Sequence, residues 1–291
     1  MINKIEKFFV DILIKIKRKY KYHQLKKFYK IKDDSFFEIL KENIENKDTL
    51  ILTVSFNNEQ VVGKQIELLS KFCKDNYVYL VADNSTNIKK SLKIKEICML
   101  NNVLYYHLPP SNPFNNYDPS ASHGASLNYL WKNFISELCD IKNIMILDHD
   151  IFPTNFFSVK EMLGNQEFYG LVKIRKLGWY LWPGFSCFSK RYLTGKKIDF
   201  LPSKYGDTGS SNYLSIYKYY DLNNIKKATD EYIDLDIVDD NDKDVYIDQK
   251  NRLELIDGHW IHLINAADWA GVGSMDKKFN KMMKIINKRV E

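Results

Sequence analysis

The sequence predicts an α/β protein whose central sheet is mostly parallel and is preceded by N-terminal helices. Short apolar runs rich in Val, Ile, Leu and Tyr alternate with helical patterns between residues 49 and 147, and three of these runs end abruptly in polar residues. With 291 residues, 45% hydrophobic and 27% charged, and only 12 Gly and 7 Pro, the chain is globular and can bury a full core.

In Ile2 to Leu25 the apolar residues Ile5, Phe8, Phe9, Ile12, Leu13 and Ile16 recur at three- and four-residue steps, with Lys15, Lys17, Arg18, Lys19 and Lys21 behind them. This is an amphipathic helix with a basic end. It either attaches to anionic lipid, at about 1 kcal/mol per basic residue near the surface, or packs on the body with its lysines in water. Asp34 or Ser35 can cap a second helix through about Asn46, with Ser35 and Glu38 at capping-box spacing. Four strands are expected at Leu50 to Phe56, Tyr77 to Ala82, Val103 to His107 and Ile144 to Leu147, separated by helices near Glu59 to Cys73, Lys89 to Leu100 and Ser122 to Leu138. The Pro- and Asn-rich stretch Leu108 to Ser120 reads as a long ordered loop or flap. In parallel sheets ligands sit beyond the carboxyl ends of the strands, which draws attention to Ser55, Asn57 and Asn58, to Asp83, Asn84 and Ser85, and to Asp148, His149 and Asp150.

Charge and cysteine usage exclude several classes. Residues 1–30 carry ten Lys/Arg against Glu6 and Asp11, a charge of +8, so the remaining chain sums to −2 of the total +6. A nearly neutral body lacks the basic stripe that nucleic-acid binding needs. Cys73, Cys98, Cys139 and Cys187 match neither zinc spacing nor a disulfide framework, so reduced thiols and a cytoplasmic compartment are expected. No run of about 18 apolar residues and no signal-peptide pattern is present, which predicts neither a membrane span nor secretion.

The most informative segment is Ile144 to Pro153, where a buried strand ends in Asp148-His149-Asp150. Two carboxylates one residue apart in extended chain share a face and repel unless a cation sits beside them. Mg²⁺ or Mn²⁺ suits oxygen ligands and commonly combines one or two carboxylates with substrate phosphates, pointing to a phosphorylated or nucleotide-linked substrate. A polar turn capping the next helix is the plain alternative.

With Thr53-Val54-Ser55-Phe56-Asn57-Asn58, Val81-Ala82-Asp83-Asn84-Ser85, Ser122-His123-Gly124-Ala125-Ser126-Leu127-Asn128 and Leu147-Asp148-His149-Asp150 in this order, the chain resembles a GT-A fold glycosyltransferase of the broad family 2 type over about residues 49–270. The resemblance implies a Rossmann-like nucleotide-binding half at 49–157, an acceptor half at 158–270, a basic helical region at 1–48 and a C-terminal helix at 271–291. It implies that Ser55, Asn57, Asp83 and Asn84 surround base and ribose, that His123 and Gly124 border the donor at a helix N-terminus, and that Asp148 lies towards ribose or sugar at the metal site while Asp150 ligates Mn²⁺ or Mg²⁺ directly. A structural cap or core position is the other reading of His123.

Sugar transfer from a nucleoside diphosphate needs charge neutralisation of the departing diphosphate and, for inversion, a carboxylate base. Asp207, in the Gly-flanked turn Tyr205-Gly206-Asp207-Thr208-Gly209 before an expected helical run Ser211 to Tyr220, resembles the family's late acidic motif; a plain N-cap is equally compatible. Leu253 to Leu263 reads as one strand on which His259 and His262 face opposite sides. The resemblance favours His262, before Asn265-Ala266-Ala267-Asp268-Trp269, as metal or diphosphate ligand, with His259 the fallback. Trp179, Tyr180, Trp182 and Phe185 can offer a sugar platform, Trp182 first, or belong to the core, and Lys173 or Arg175, with Arg175 preferred, can meet diphosphate. Asp240, Asp242 and Asp244 lack the Gly and Glu of a calcium loop and read as a solvated acidic segment.

The expected function is a metal-dependent, inverting glycosyltransferase. It moves a sugar from a UDP- or GDP-sugar to a glycan or lipid-linked saccharide at the inner membrane face, as in surface polysaccharide synthesis. The alternatives are a haloacid dehalogenase-like phosphatase using Asp148 and Asp150 with Asp239-Asp240, and a non-catalytic membrane-apposed scaffold. A sugar nucleotidyltransferase is disfavoured because no Gly-rich phosphate loop follows the first strand.

Overall fold

The computed structural model describes residues 20–115, 118–176, 178–204, 206–234, 252–264, 266 and 275–290. Most of the expected basic helix lies outside the described residues, as do Asp239, Asp240, Asp242 and Asp244 of the acidic segment and Asp268 and Trp269. Residues 20–28 (α1) are helical; Leu25 and Phe28 are buried, and the Phe28 ring lies 4.9 Å from that of Tyr129. Helix α2 (Asp34–Ile44) is capped by Asp33, not by Asp34 or Ser35. The Asp33 carboxylate accepts Phe36 N at 3.0 Å and the Ser35 hydroxyl at 2.6 Å, so the serine is no longer available for the expected capping box.

Strands and helices then alternate as the sequence predicts: β1 (Thr49–Ser55), α3 (Glu59–Phe72), β2 (Tyr77–Asp83), α4 (Ile88–Leu100), β3 (Leu104–His107), α5 (Pro119–Asn133) and β4 (Asn143–Leu147). Strands β1, β2 and β4 are buried on both faces, which is why they read as unbroken apolar runs. Their residues alternate between two cores: Ile51, Val81 and Met145 pack with Val62, Leu69 and Ile94 of α3 and α4, while Leu50, Leu80 and Ile144 pack with Leu40 and Leu130 of α2 and α5. The six-stranded sheet has the order β3-β2-β1-β4-β7-β6. Its first four strands are parallel, and β7 (Gly178–Ser189) runs antiparallel to both β4 and β6 (Phe168–Arg175). The first strand thus lies inside the sheet with successors on either side, the arrangement that opens a ligand crevice beyond the carboxyl ends.

A second, antiparallel sheet has the order β5-β10-β9-β8, built from β5 (Ile151–Pro153), β10 (Trp260–His262), β9 (Arg252–Ile256) and β8 (Asp230–Asp234). The single strand expected over Leu253 to Leu263 is instead a hairpin. Asp257 (φ 50°) and Gly258 (φ 70°) are both left-handed, as a tight hairpin turn requires, and His259 N donates to Ile256 O at 3.1 Å. The helix expected over Ser211 to Tyr220 is a pair of 3₁₀ turns, Ser210–Tyr213 and Tyr217–Tyr219, which place Ile216 and Tyr217 together in the core, the Tyr217 ring 5.1 Å from that of Trp179. The chain's last described helix is Met275–Val290. Among the described residues no helix is long and apolar enough to cross a membrane.

Candidate active site

A cavity of about 350 Å³ opens where β1, β2 and β4 end and α5 begins. Of the residues expected there, Asn84, His123, Asp148, Asp150, Trp182, Asp207 and His262 line it. Residues from widely separated parts of the chain meet because the acidic turn 148–150 joins the two sheets, leaving β4 for β5.

That turn is held from below by Gln65 of α3, which is completely buried. Its amide nitrogen donates to Asp148 O at 2.7 Å and Ile151 O at 2.8 Å, while its oxygen accepts Tyr79 OH at 2.5 Å and Thr53 Oγ1 at 3.2 Å. From above, Asp148 N donates to Gly184 O at 2.8 Å. Gly184 belongs to a bulged part of β7, and a side chain there would meet the Trp182 indole at 2.2 Å, so glycine is what lets the ring lie across the cavity wall. Burial and then the neighbouring Asp150 charge push the Asp148 carboxyl well above the usual carboxylate range. Burial alone lowers His123 to about 4, keeping the imidazole neutral, with Nε2 3.5 Å from Asp148 Oδ1 and without a hydrogen-bond partner.

His262 sits opposite Asp150, its Nε2 3.6 Å from Asp150 Oδ1. Its Nδ1 is 2.6 Å from Glu254 Oε2, and the Trp182 ring covers it at 5.3 Å. Burial would lower the imidazole pKa, but Asp150 and Glu254 outweigh it and raise the value. Asp150 Oδ2 also accepts Ala266 N at 3.3 Å. On the C-terminal helix, buried Lys278 donates to Ile264 O at 2.8 Å; burial lowers it to about 8 against the pull of Asp150. Among the described residues no three His, Cys, Asp or Glu side chains are already gathered as a closed ligand set. Asp150 and His262 do fit a hard divalent ion that takes its other ligands from substrate oxygens and water, since they are buried, face each other and share no hydrogen bond.

Asp207 lines the same cavity from an exposed turn. Its Oδ1 accepts the Ser120 hydroxyl and, at 2.8 Å, Thr208 N, while its own N–H donates to Tyr180 OH at 2.9 Å. The N-cap reading of Asp207 is not realised: the following 3₁₀ turn has Gly209 (φ 85°) at its start and no side-chain cap. A second cavity of about 380 Å³ shares Trp182, Asp207, His262 and Ile264 with the first and is further lined by Lys173, Tyr232, Arg252 and Glu254. Tyr232, Glu254 and His262 face one another in register across β8, β9 and β10.

Several expected site residues lie elsewhere. Arg175 is near the tip of the β6–β7 hairpin, two residues beyond Lys173, and lines a separate cleft with Trp179 and Tyr180, while Lys173 lines the second cavity. Gly124 is not among the lining residues, and a side chain there would meet Phe200 O at 2.4 Å, so glycine permits the close packing of α5 on that segment. His259 is in the hairpin turn, its Nδ1 2.7 Å from Asp257 O. Trp179 and Phe185 belong to the core. Asn57 (φ 47°) shapes the rim, with its N–H on Ser85 Oγ at 2.8 Å and its Oδ1 on Asn87 N at 3.0 Å.

Asp83 and Ser55 are fully buried beneath the rim and bonded to each other at 3.2 Å. The Asp83 carboxylate also accepts Ser85 N at 3.0 Å, Ser85 Oγ at 2.5 Å and Tyr105 OH at 2.9 Å. Burial would raise its pKa, but hydrogen bonds from His107, Ser85, Ser91 and Tyr105 hold it down to about 2. A carboxyl depressed in the folded state stabilises above its unfolded pKa of about 4, and that stabilisation fades as pH falls from about 4 to 2. Asp83→Asn is therefore expected to lose about 2 kcal/mol at neutral pH. In urea titrations the gap between variant and wild type should close near pH 2; a gap independent of pH would rule the assignment out.

His149, singled out with the acidic pair, also lines the cavity, whereas sequence reasoning missed Gln65, Glu254, Ser120 and Thr208. Gln65 was detectable, because it interrupts the apolar stripe of Val61, Val62, Leu68 and Leu69 on α3.

No family model matches the sequence, and no curated protein does. Among solved structures the chain is similar to the WbbM bifunctional glycosyltransferase (10% identity, 51% of this chain and 32% of that one, TM-score 0.36). It is similar also to S. aureus TarS (15% identity, 53% and 30%, TM-score 0.36). A third is glucosyl-3-phosphoglycerate synthase from Mycobacterium tuberculosis, solved with Mn²⁺, UDP and glucosyl-3-phosphoglycerate (13% identity, 55% and 63%, TM-score 0.35). Each match covers about half of this chain and less than two thirds of the other protein.

Proposed function

We propose that this chain is a metal-dependent, inverting glycosyltransferase that moves a sugar from a nucleoside-diphosphate donor, UDP- or GDP-linked, to a saccharide acceptor. The observation that supports it best is the convergence of Asp148, Asp150, His262 and Asp207 on one cavity at the carboxyl ends of parallel strands. Asp150 and His262 would hold Mn²⁺ or Mg²⁺, with Asp148 beside them. When bound, the ion neutralises charge on the departing diphosphate.

The remaining chemistry falls to the chain's own groups. Asp207 borders both cavities, so a donor in the first and an acceptor in the second would meet at its carboxylate. Its Oδ1 takes the bonds from Ser120 and Thr208, which leaves Oδ2 to receive the proton of the acceptor hydroxyl as the hydroxyl oxygen attacks the sugar carbon and the bond to diphosphate breaks. The Trp182 face and Tyr232 provide apolar surfaces for sugar rings, and Lys173 and Arg252 balance Asp207 and Glu254 around the second cavity, which suits an uncharged saccharide, glycan or lipid-linked. Neutral His123 can donate to the donor without adding charge. The +8 charge of residues 1–30 supports peripheral attachment to an anionic cytoplasmic membrane face, in keeping with a surface polysaccharide product.

Calorimetry with UDP and GDP should detect binding that requires Mn²⁺. Asp207→Asn should retain that binding and slow transfer by about 10² to 10⁴-fold. Full turnover in the variant would remove Asp207 as base; absence of any nucleotide binding in the wild type would remove the whole reading.

A further inference from the structure

Glu254 is a buried carboxylate, 3% exposed, on the second sheet, and the reaction itself gives it no task. Register places it directly across from His262 on the adjacent antiparallel strand, where side chains share a face. Glu254 Oε2 approaches His262 Nδ1 to 2.6 Å, and Lys173 Nζ lies 3.7 Å from Oε1, so both carboxylate oxygens are engaged. A carboxylate accepts only, so Nδ1 carries the hydrogen and Nε2 faces Asp150 Oδ1 across 3.6 Å, a gap too long for a hydrogen bond. The Trp182 ring packs beside the imidazole, tilted by 37° with centroids 5.3 Å apart.

We infer that Glu254 is the positioning residue that turns His262 Nε2 towards a divalent cation shared with Asp150; this rests on the metal reading above. A histidine ligand held through its other nitrogen by a carboxylate is oriented and made more basic, and loss of such a partner lowers metal affinity about 10- to 100-fold. A purely structural Glu254–His262 pair would stabilise the hairpin but would not require the second imidazole nitrogen to face a buried carboxylate.

The test is Mn²⁺ binding to the full chain in the presence of UDP, followed by electron paramagnetic resonance, in wild type, Glu254→Gln and Asp150→Asn. Glu254→Gln keeps the shape and removes the charge. It should weaken Mn²⁺ binding about 10- to 100-fold and, at saturating Mn²⁺, diminish the imidazole nitrogen coupling in the echo-modulation spectrum. Glu254→Asp keeps the charge but withdraws it by one methylene, and should fall between the two; it also serves if Glu254→Gln folds poorly. Wild-type affinity and nitrogen coupling in Glu254→Gln, with Asp150→Asn impaired, would overturn the role of Glu254 alone. Unchanged binding in both variants would overturn the metal site as well.

Discussion

Asp150→Asn is expected to slow sugar transfer by about 10² to 10³-fold while leaving the fold intact, because a metal's charge stabilisation is worth several kcal/mol and each 1.4 kcal/mol is tenfold in rate. The asparagine can still accept from Ala266 N, so the loop beyond β10 keeps its anchor. Removing one of two neighbouring carboxylates relieves repulsion on Asp148 but also removes the attraction of Asp150 for His262 and Lys278. These effects oppose each other, so the melting temperature should shift little even as kcat/KM collapses. Turnover within about threefold of wild type at saturating Mn²⁺ would place the reaction on other groups.

The second large effect concerns stability. Gln65→Leu removes the donors to Asp148 O and Ile151 O and the acceptor of Tyr79 OH, all in the interior. At roughly 1–3 kcal/mol for each buried polar group left without a partner, and with Thr53 Oγ1 retaining its bond to Leu147 O, the loss should be about 3 kcal/mol or more. Urea denaturation measures it. Adding Tyr79→Phe should recover part of the deficit, since the orphaned hydroxyl goes with it, and strict additivity of the two substitutions would contradict the network. Metal binding should weaken in parallel, because the acidic turn rests on this amide.

The first half of the chain was legible because β1, β2 and β4 are buried on both faces and had to be written as apolar runs; the Asp118 cap went unread, so the third helix was expected from Ser122 and not from Pro119. The acidic turn was legible for the same reason: two aspartates directly after a buried strand have nowhere to go but its end. The second half was less so. Asp257-Gly258 between apolar residues was a hairpin signal, and reading through it merged two strands and hid the pairing of Glu254 with His262. Asp83 illustrates a different limit. A carboxylate after a strand looks the same whether it faces a ligand or collects hydrogen bonds from Ser55, Ser85 and Tyr105; only the packing of β3 against β2 decides. Arg175 and Lys173 lie on one strand face, and what separates them is the distance along the hairpin to the cavity.

The Asp257-Gly258 tip sets a parity rule for variation in this region. Successive strand residues face opposite sides, so a single extra residue between Glu254 and His262 would rotate the imidazole out of the cavity, whereas a matched pair, one on each arm, would lengthen the arms and preserve their phase. Tyr169 OH and Thr229 N grip the two oxygens of Asp257 at 2.7 Å and 2.9 Å, clamping that phase from outside the hairpin. Homologous chains should therefore differ in the length of this arm by even steps, with the aspartate at its apex the most constrained position on it.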